Sequence, residues 1–243
     1  MSVLRVGTTE GRFRMVMPDL MADFENATRE TEDGEQFSKR ENVHIQGFMG
    51  DAESLREMLS AGTLDLAFSG LTERQVPEIE SCLILDEQLF YVISDHMLNR
   101  YRPEYTQDAQ KPDHKVDLCD FTMVPVCRSL GHLHCMKILD EVLNREKIHL
   151  ECVHVSGHYD LHLELALRDY AACFCLGMYL PYLKKINENS ENKLHAFHIK
   201  GLTATNPVFL LQMRDRLSDP AQKLFVRLLA EKCRYTERLQ AEI

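Results

Sequence analysis

Short apolar runs that end in glycine or hydroxyl residues, each followed by a stretch of helical periodicity, recur along the chain and restrict it to an α/β architecture. The first run is Leu4-Arg5-Val6-Gly7-Thr8-Thr9. Beyond it, Phe13, Val16, Met17, Leu20, Met21 and Phe24 are spaced as one buried helix face. Val43 to Phe48 reads as the next strand, with Asp51 as the N-cap of a helix that presents Leu55, Met58 and Leu59 and closes at Gly62. Leu64 to Phe68 is a short apolar strand stopping at Ser69-Gly70. Strands alternating with amphipathic helices predict a mostly parallel sheet.

Asn26 to Glu41 holds almost no apolar residue and is expected to be a solvated loop. Leu83 to Leu85 and Leu89 to Ile93 read as strands, and the polar stretch Ser94 to Asp117 as a crossing between lobes. A second strand-turn-helix unit follows, with a strand over Phe121 to Val126, a turn at Arg128-Ser129 and a helix burying Cys135, Ile138, Leu139, Val142 and Leu143. Ile148 to Val155 is the next strand, ending in Ser156-Gly157; a helix through Leu163, Ala166 and Leu167 leads to the strand Ala172 to Leu176. Leu194 to Ile199 and Val208 to Met213 are the last strands, and Ser218-Asp219-Pro220 opens a long C-terminal helix.

Composition removes several function classes. With 44% hydrophobic residues in 243, the chain can bury one large core or two lobes, yet no apolar run is long enough to span a bilayer and the N-terminus lacks a signal-peptide pattern. A cytoplasmic location without membrane contact is the expectation. The eight cysteines are dispersed through apolar runs such as those around Cys82, Cys152, Cys173 and Cys175, so reduced, mostly buried thiols are expected. A net charge of −10 argues against a nucleic-acid-binding surface on this chain itself.

The chemistry-bearing residues gather where strands end. Thr8 and Thr9, before a helix, either cap it or offer hydroxyl and backbone donors to a carboxylate or phosphate. His132, His134 and Cys135, or His149, Cys152, His154, His158 and His162, can be assembled into a metal site on paper, but only His158 and His162 have one-turn spacing; no metal is expected. No nucleophile elbow, P-loop or Rossmann fingerprint is present, and Gly11-Arg12-Phe13 matches the Thr-Arg-Phe motif of prephenate dehydratases only in part, so neither an enzyme nor a cofactor is expected.

Four stretches carry a family resemblance: Leu4 to Gly7 with Met17 to Phe24; Leu55 to Phe68, where a helix ends in Gly62 before Leu64-Asp65-Leu66-Ala67; Ala166 to Pro181; and Leu217 to Phe225. Together they resemble the effector-binding domain of LysR-type transcriptional regulators over nearly the full chain. The resemblance implies an α/β fold like the type 2 periplasmic binding proteins, with mixed, mostly parallel sheets in two lobes and a ligand cleft between them. One regulatory subdomain is expected from 1–94 with 205–243 and the other from 95–204. It also implies antiparallel homodimers and a DNA-binding helix-turn-helix domain, which this chain lacks, so that it reads as a regulatory domain excised from a longer protein. A free-standing solute-binding protein of the same fold is the alternative.

Two departures bear on the effector. Asn26 to Glu41 exceeds the family's short link, and Arg168 to Leu176 carries Ala172, Cys173 and Cys175 where a glycine-rich run is common. Cys119, Cys127 and Cys135 lie near the redox pair of peroxide-sensing members, but Ser129 stands where the peroxidatic cysteine would align. Since ligands of open α/β sheets bind beyond the carboxyl ends of strands, the effector contacts expected are Thr8, Thr9, Ser69 and Gly70 in the first lobe and Arg128, Ser129, Ser156 and His158 in the second. Arg128 is the cation among them, suited to a small anionic effector.

Overall fold

A computed structural model describes residues 2–30, 43–70, 76–106, 115–131, 133–214 and 219–243. In chain order its strands and α-helices are β1 (Ser2–Thr8), α1 (Glu10–Met15), α2 (Met17–Glu30), β2 (Val43–Met49), α3 (Ala52–Ser60), β3 (Leu66–Gly70), β4 (Ile79–Glu87), β5 (Leu89–Ser94) and α4 (Asp95–Tyr101). They continue with β6 (Lys115–Val116), β7 (Val126–Arg128), α5 (His134–Glu146), β8 (Cys152–Val155), α6 (Tyr159–Leu167), β9 (Ala172–Leu176), α7 (Leu180–Asn189), β10 (Leu194–Ile199), β11 (Asn206–Met213) and α8 (Pro220–Glu242). Two compact units result, Met1–Asp86 with Pro207–Tyr235, and Glu87–Asn206 with Thr236–Ile243.

The first unit is a five-stranded sheet in the order β2-β1-β3-β11-β4, with β1 parallel to β2 and β3, and β11 antiparallel to β3. Both faces are covered, which is why β3 reads as a continuous apolar run rather than an alternating one. Leu66 and Phe68 pack with Leu20, Phe24 and Phe225, whereas Ala67 between them packs with Leu55, Leu59 and Leu211. The stretch Leu55 to Phe68 is held by local chemistry. Gly62, at φ +69°, takes the left-handed position after α3, its N–H reaching Leu59 O and that of Thr63 reaching Met58 O, a Schellman closure. Asp65 then receives the Arg5 side chain through Nε (3.1 Å) and Nη2 (2.8 Å), and the Arg5 Nη1 donates to Gly62 O. The turn and the strand are thereby locked to β1.

The second unit is a six-stranded sheet in the order β6-β10-β5-β9-β7-β8. Its centre is antiparallel, β5 between β9 and β10, and β7 runs parallel to β8 and β9. Every residue of β5 and β9 is buried. Tyr91 meets Phe121 in a tilted contact and Phe174 edge-on, with ring centroids 4.9 and 5.5 Å apart.

Several expectations are corrected. The first helix is broken at Val16, because Pro18 has no N–H to donate back to Arg14; α2 restarts at Met17 and continues to Glu30, through the first part of the expected loop. Residues 31–42 lie outside the described residues. Met21 is half-exposed instead of buried. Ser94 does not begin a crossing: its Oγ accepts from Met97 N and caps α4, which buries Met97 and Leu98. The strand expected from Phe121 begins only at Val126, after a turn closed by Val124 N on Phe121 O, and the strand from Ile148 begins at Cys152.

The subdomain boundary also differs from the expected 94/95. Leu89–Ser94 pairs with β9 and β10 and so belongs to the second unit, as does Thr236–Ile243, where Gln240 Oε1 accepts from Gln88 N at 2.8 Å. Ser218 lies outside the described residues; Asp219 caps the last helix by accepting from Ala221 N.

Candidate functional site at the strand ends

Parallel pairing of β1 with β3 sets Thr8 beside Phe68, so Thr8-Thr9 and Ser69-Gly70 meet at the carboxyl ends of neighbouring strands. Their roles differ. The Thr8 hydroxyl is fully buried and donates to Phe68 O at 2.7 Å, so its proton is already committed to tying the two strands together. Thr9 is the N-cap residue of α1 by backbone position, yet its side chain makes no capping bond; its Oγ1 accepts instead from Arg12 Nη1 at 3.2 Å. Ser69 is buried with its hydroxyl on Gly70 O, and Gly70 is half-buried opposite Val208 of β11. Arg12, almost fully buried one helical turn beyond Thr9, is a cation the sequence reading missed. Its i+3 spacing from Thr9 was the available signal.

In the second unit Arg128 pairs with Val155 across β7 and β8, and Ser156 N donates to Arg128 O at 3.2 Å. This brings Arg128, Ser129, Ser156 and His158 to one end of the sheet. Arg128 Nη2 is bonded to Asp140 of α5, while its Nε is buried without a hydrogen-bond partner. An incoming carboxylate can therefore use an unoccupied donor of a guanidinium whose charge is already partly balanced. Ser129 Oγ is buried and makes no hydrogen bond of normal length; it faces the Tyr159 phenol, which is buried 3.0 Å from Cys135 Sγ and has its pKa raised by that burial.

Ser156 Oγ accepts from His158 N at 3.3 Å and sits 3.0 Å from His162 Nε2, so its own proton is free to go to the imidazole. His162 is fully buried, and desolvation, with His154 nearby, pulls its pKa down to about 4. A neutral His162 props the loop that carries Ser156 and His158, a role the sequence did not reveal. His158 itself is exposed at the start of α6. The one-turn pair His158 and His162 is thus divided between solvent and core, and no cluster of three His, Cys, Asp or Glu suited to a metal occurs among the described residues, from which His132 is excluded.

No protein-family model and no curated protein sequence matches the chain. Solved structures do match over nearly all of it. The effector-binding domain of QuiR in complex with shikimate superposes with a TM-score of 0.60 at 16% identity, covering 98% of both chains. The LysR family transcriptional regulator HinK from Pseudomonas aeruginosa gives 0.66 at 15% identity, over 96% of this chain and 70% of that one. The BenM effector-binding domain with benzoate gives 0.61 at 12% identity, over 96% and 93%. The chain has the fold of LysR-type effector-binding domains.

On this fold the thiols divide unequally. Cys127, Cys135, Cys173, Cys175 and Cys233 are buried, but Cys82, Cys119 and Cys152 are exposed, contrary to the expectation for Cys82 and Cys152. All eight are free. Burial pushes the Cys127 thiol up to about 11, and its neighbour Arg128 is turned to Asp140, so nothing at this position favours a thiolate. No described helix of the fold is long and apolar enough to cross a membrane.

Proposed function

We propose that this chain is the cytoplasmic effector-sensing domain of a LysR-type transcriptional regulator, which binds a small anionic molecule and thereby controls an attached helix-turn-helix domain on DNA. The observation that carries the reading is the full-length match to the shikimate-bound QuiR domain. Shikimate and benzoate are both small carboxylates, and the strand ends offer what a carboxylate needs: the Thr9 hydroxyl and the Arg12 side chain in one unit, the unpartnered Nε of Arg128 with Ser129 and Ser156 in the other. Thr8, Ser69, Gly70 and His158 shape these contacts. The working assembly is a homodimer, the default closed arrangement of soluble homo-oligomers.

Thermal-shift measurements over small aliphatic, aromatic and hydroxylated carboxylates test the reading, since a ligand that binds only the native state raises the melting temperature. A saturable rise with at least one carboxylate is expected. No rise with any of them, or a rise that uncharged analogues match, refutes it.

A further inference from the structure

A separate cavity of about 410 Å³ lies within the first unit, lined by Arg56, Pro77, Ile79, Glu80, Ser81 and Arg214 among others. Its place is fixed by register. In the antiparallel pairing of β11 with β3, Val208 faces Gly70 and Gln212 faces Leu66, so Arg214 lies beyond the start of β3 while Ser69-Gly70 lies at its finish. Arg214 is held there by its backbone N–H on Glu78 O at 2.9 Å. The cavity and the strand-end contacts are therefore at opposite ends of the same strand.

Among the described residues its charge is unbalanced. Arg56 projects from α3 next to Leu55, which is fully buried in the core. The Nε and Nη1 atoms of Arg56 are out of water and have no hydrogen-bond partner, and burial lowers the pKa of the group. Among the described residues the one carboxylate on the lining is Glu80, which accepts from Gln212 Nε2 at 3.1 Å and forms no ion pair with either arginine. The Arg214 side chain is exposed and likewise forms no ion pair among the described residues. Buried donors left without acceptors are costly, and a guanidinium matches the oxygens of a carboxylate or phosphate in spacing and charge. Pro77 and Ile79 add an apolar wall, and Ser81 a hydroxyl that can donate.

We propose that this cavity is a second anion-binding site, which takes a small carboxylate or phosphate between Arg56 and Arg214. The proposal stands independently of the effector reading, because it uses none of the same residues. Two guanidinium groups against one engaged carboxylate among the described residues select an anion, and the apolar wall admits a small organic body behind it.

Inorganic phosphate and benzoate serve as probes, each titrated by calorimetry into the parent and into variants at ionic strength held constant with chloride. Saturable binding of at least one is expected, and Arg56→Met, which keeps the stem and removes the charge, weakens it by about tenfold or more. Arg214→Met weakens it as well. In chloride alone Arg56→Met melts no lower than the parent, because the group removed had no partner; an arginine with a purely structural role would give the reverse. Should that variant not fold, Arg56→Lys keeps the charge, loses the planar fork and is expected to bind several-fold more weakly. Unchanged affinity in both Arg56 variants, or no saturable binding of either probe up to about 10 mM, overturns the proposal.

Discussion

Acidification from pH 7 to pH 5 should destabilise this protein through His162, by an amount the structure allows to be worked out. The imidazole is fully buried against Ser156, with His154, His158 and Asp160 as its charged or titratable neighbours, and its pKa falls from an ordinary 6.5 to about 4. Between those values the unfolded chain binds a proton that the folded one refuses. Stability from this group is therefore complete above about pH 6.5, is lost as the pH falls, and is exhausted near pH 4. From pH 7 to pH 5 the loss is about 2 kcal/mol. Urea unfolding at the two pH values, for the parent and for His162→Gln, isolates the effect from that of other titrating groups. Glutamine can still bond to Ser156 but carries no such proton. The variant's fall in unfolding free energy should be smaller than the parent's by about 2 kcal/mol. Parallel losses in the two proteins would refute the assignment of a buried, neutral imidazole.

Gly7→Ala should destabilise by about 1–3 kcal/mol in urea, because the added Cβ would lie 2.5 Å from Leu64 Cδ1 and 2.6 Å from Leu55 Cδ2 with the core on both sides. A thiol reagent should modify Cys82, Cys119 and Cys152 quickly in the native protein and the five buried cysteines only after unfolding; rapid modification of Cys127 or Cys135, read by peptide mass, would contradict the packing. Light scattering at micromolar concentration should return the mass of a dimer, and a monomer mass would remove the homodimer from the proposed function.

What the sequence made legible is what local chemistry decides. The Leu55 to Phe68 stretch could be read because its helix face, the left-handed Gly62 and the strand beyond all lie within one short segment. The break at Val16 was written in Pro18 but was overridden by an apolar spacing that runs straight through it. Helix α2 was cut short because Asn26 to Glu30 is polar, and polar residues are compatible with a solvated helix end. The membership of β5 in the second unit was out of reach, since it follows from pairing with Leu194–His198, a hundred or so residues away. At the candidate site, strand ends marked where the chemistry-bearing residues gather. They could not show that the Thr8 proton is spent on Phe68 O, that Arg128 leans on Asp140, or that His162 lies in the core beneath Ser156.

The central claim is that a small carboxylate binds at these strand ends, and calorimetric titration of the strongest thermal-shift ligand tests it most directly when run in an Arg56→Met background that silences the second cavity. Thr9→Val removes a hydroxyl that caps no helix, so the fold should be kept while affinity falls by about tenfold or more, as loss of a donor to charge implies. Arg128→Met should produce a fall of similar size. Full affinity in both variants would contradict the account, whatever the melting temperatures show.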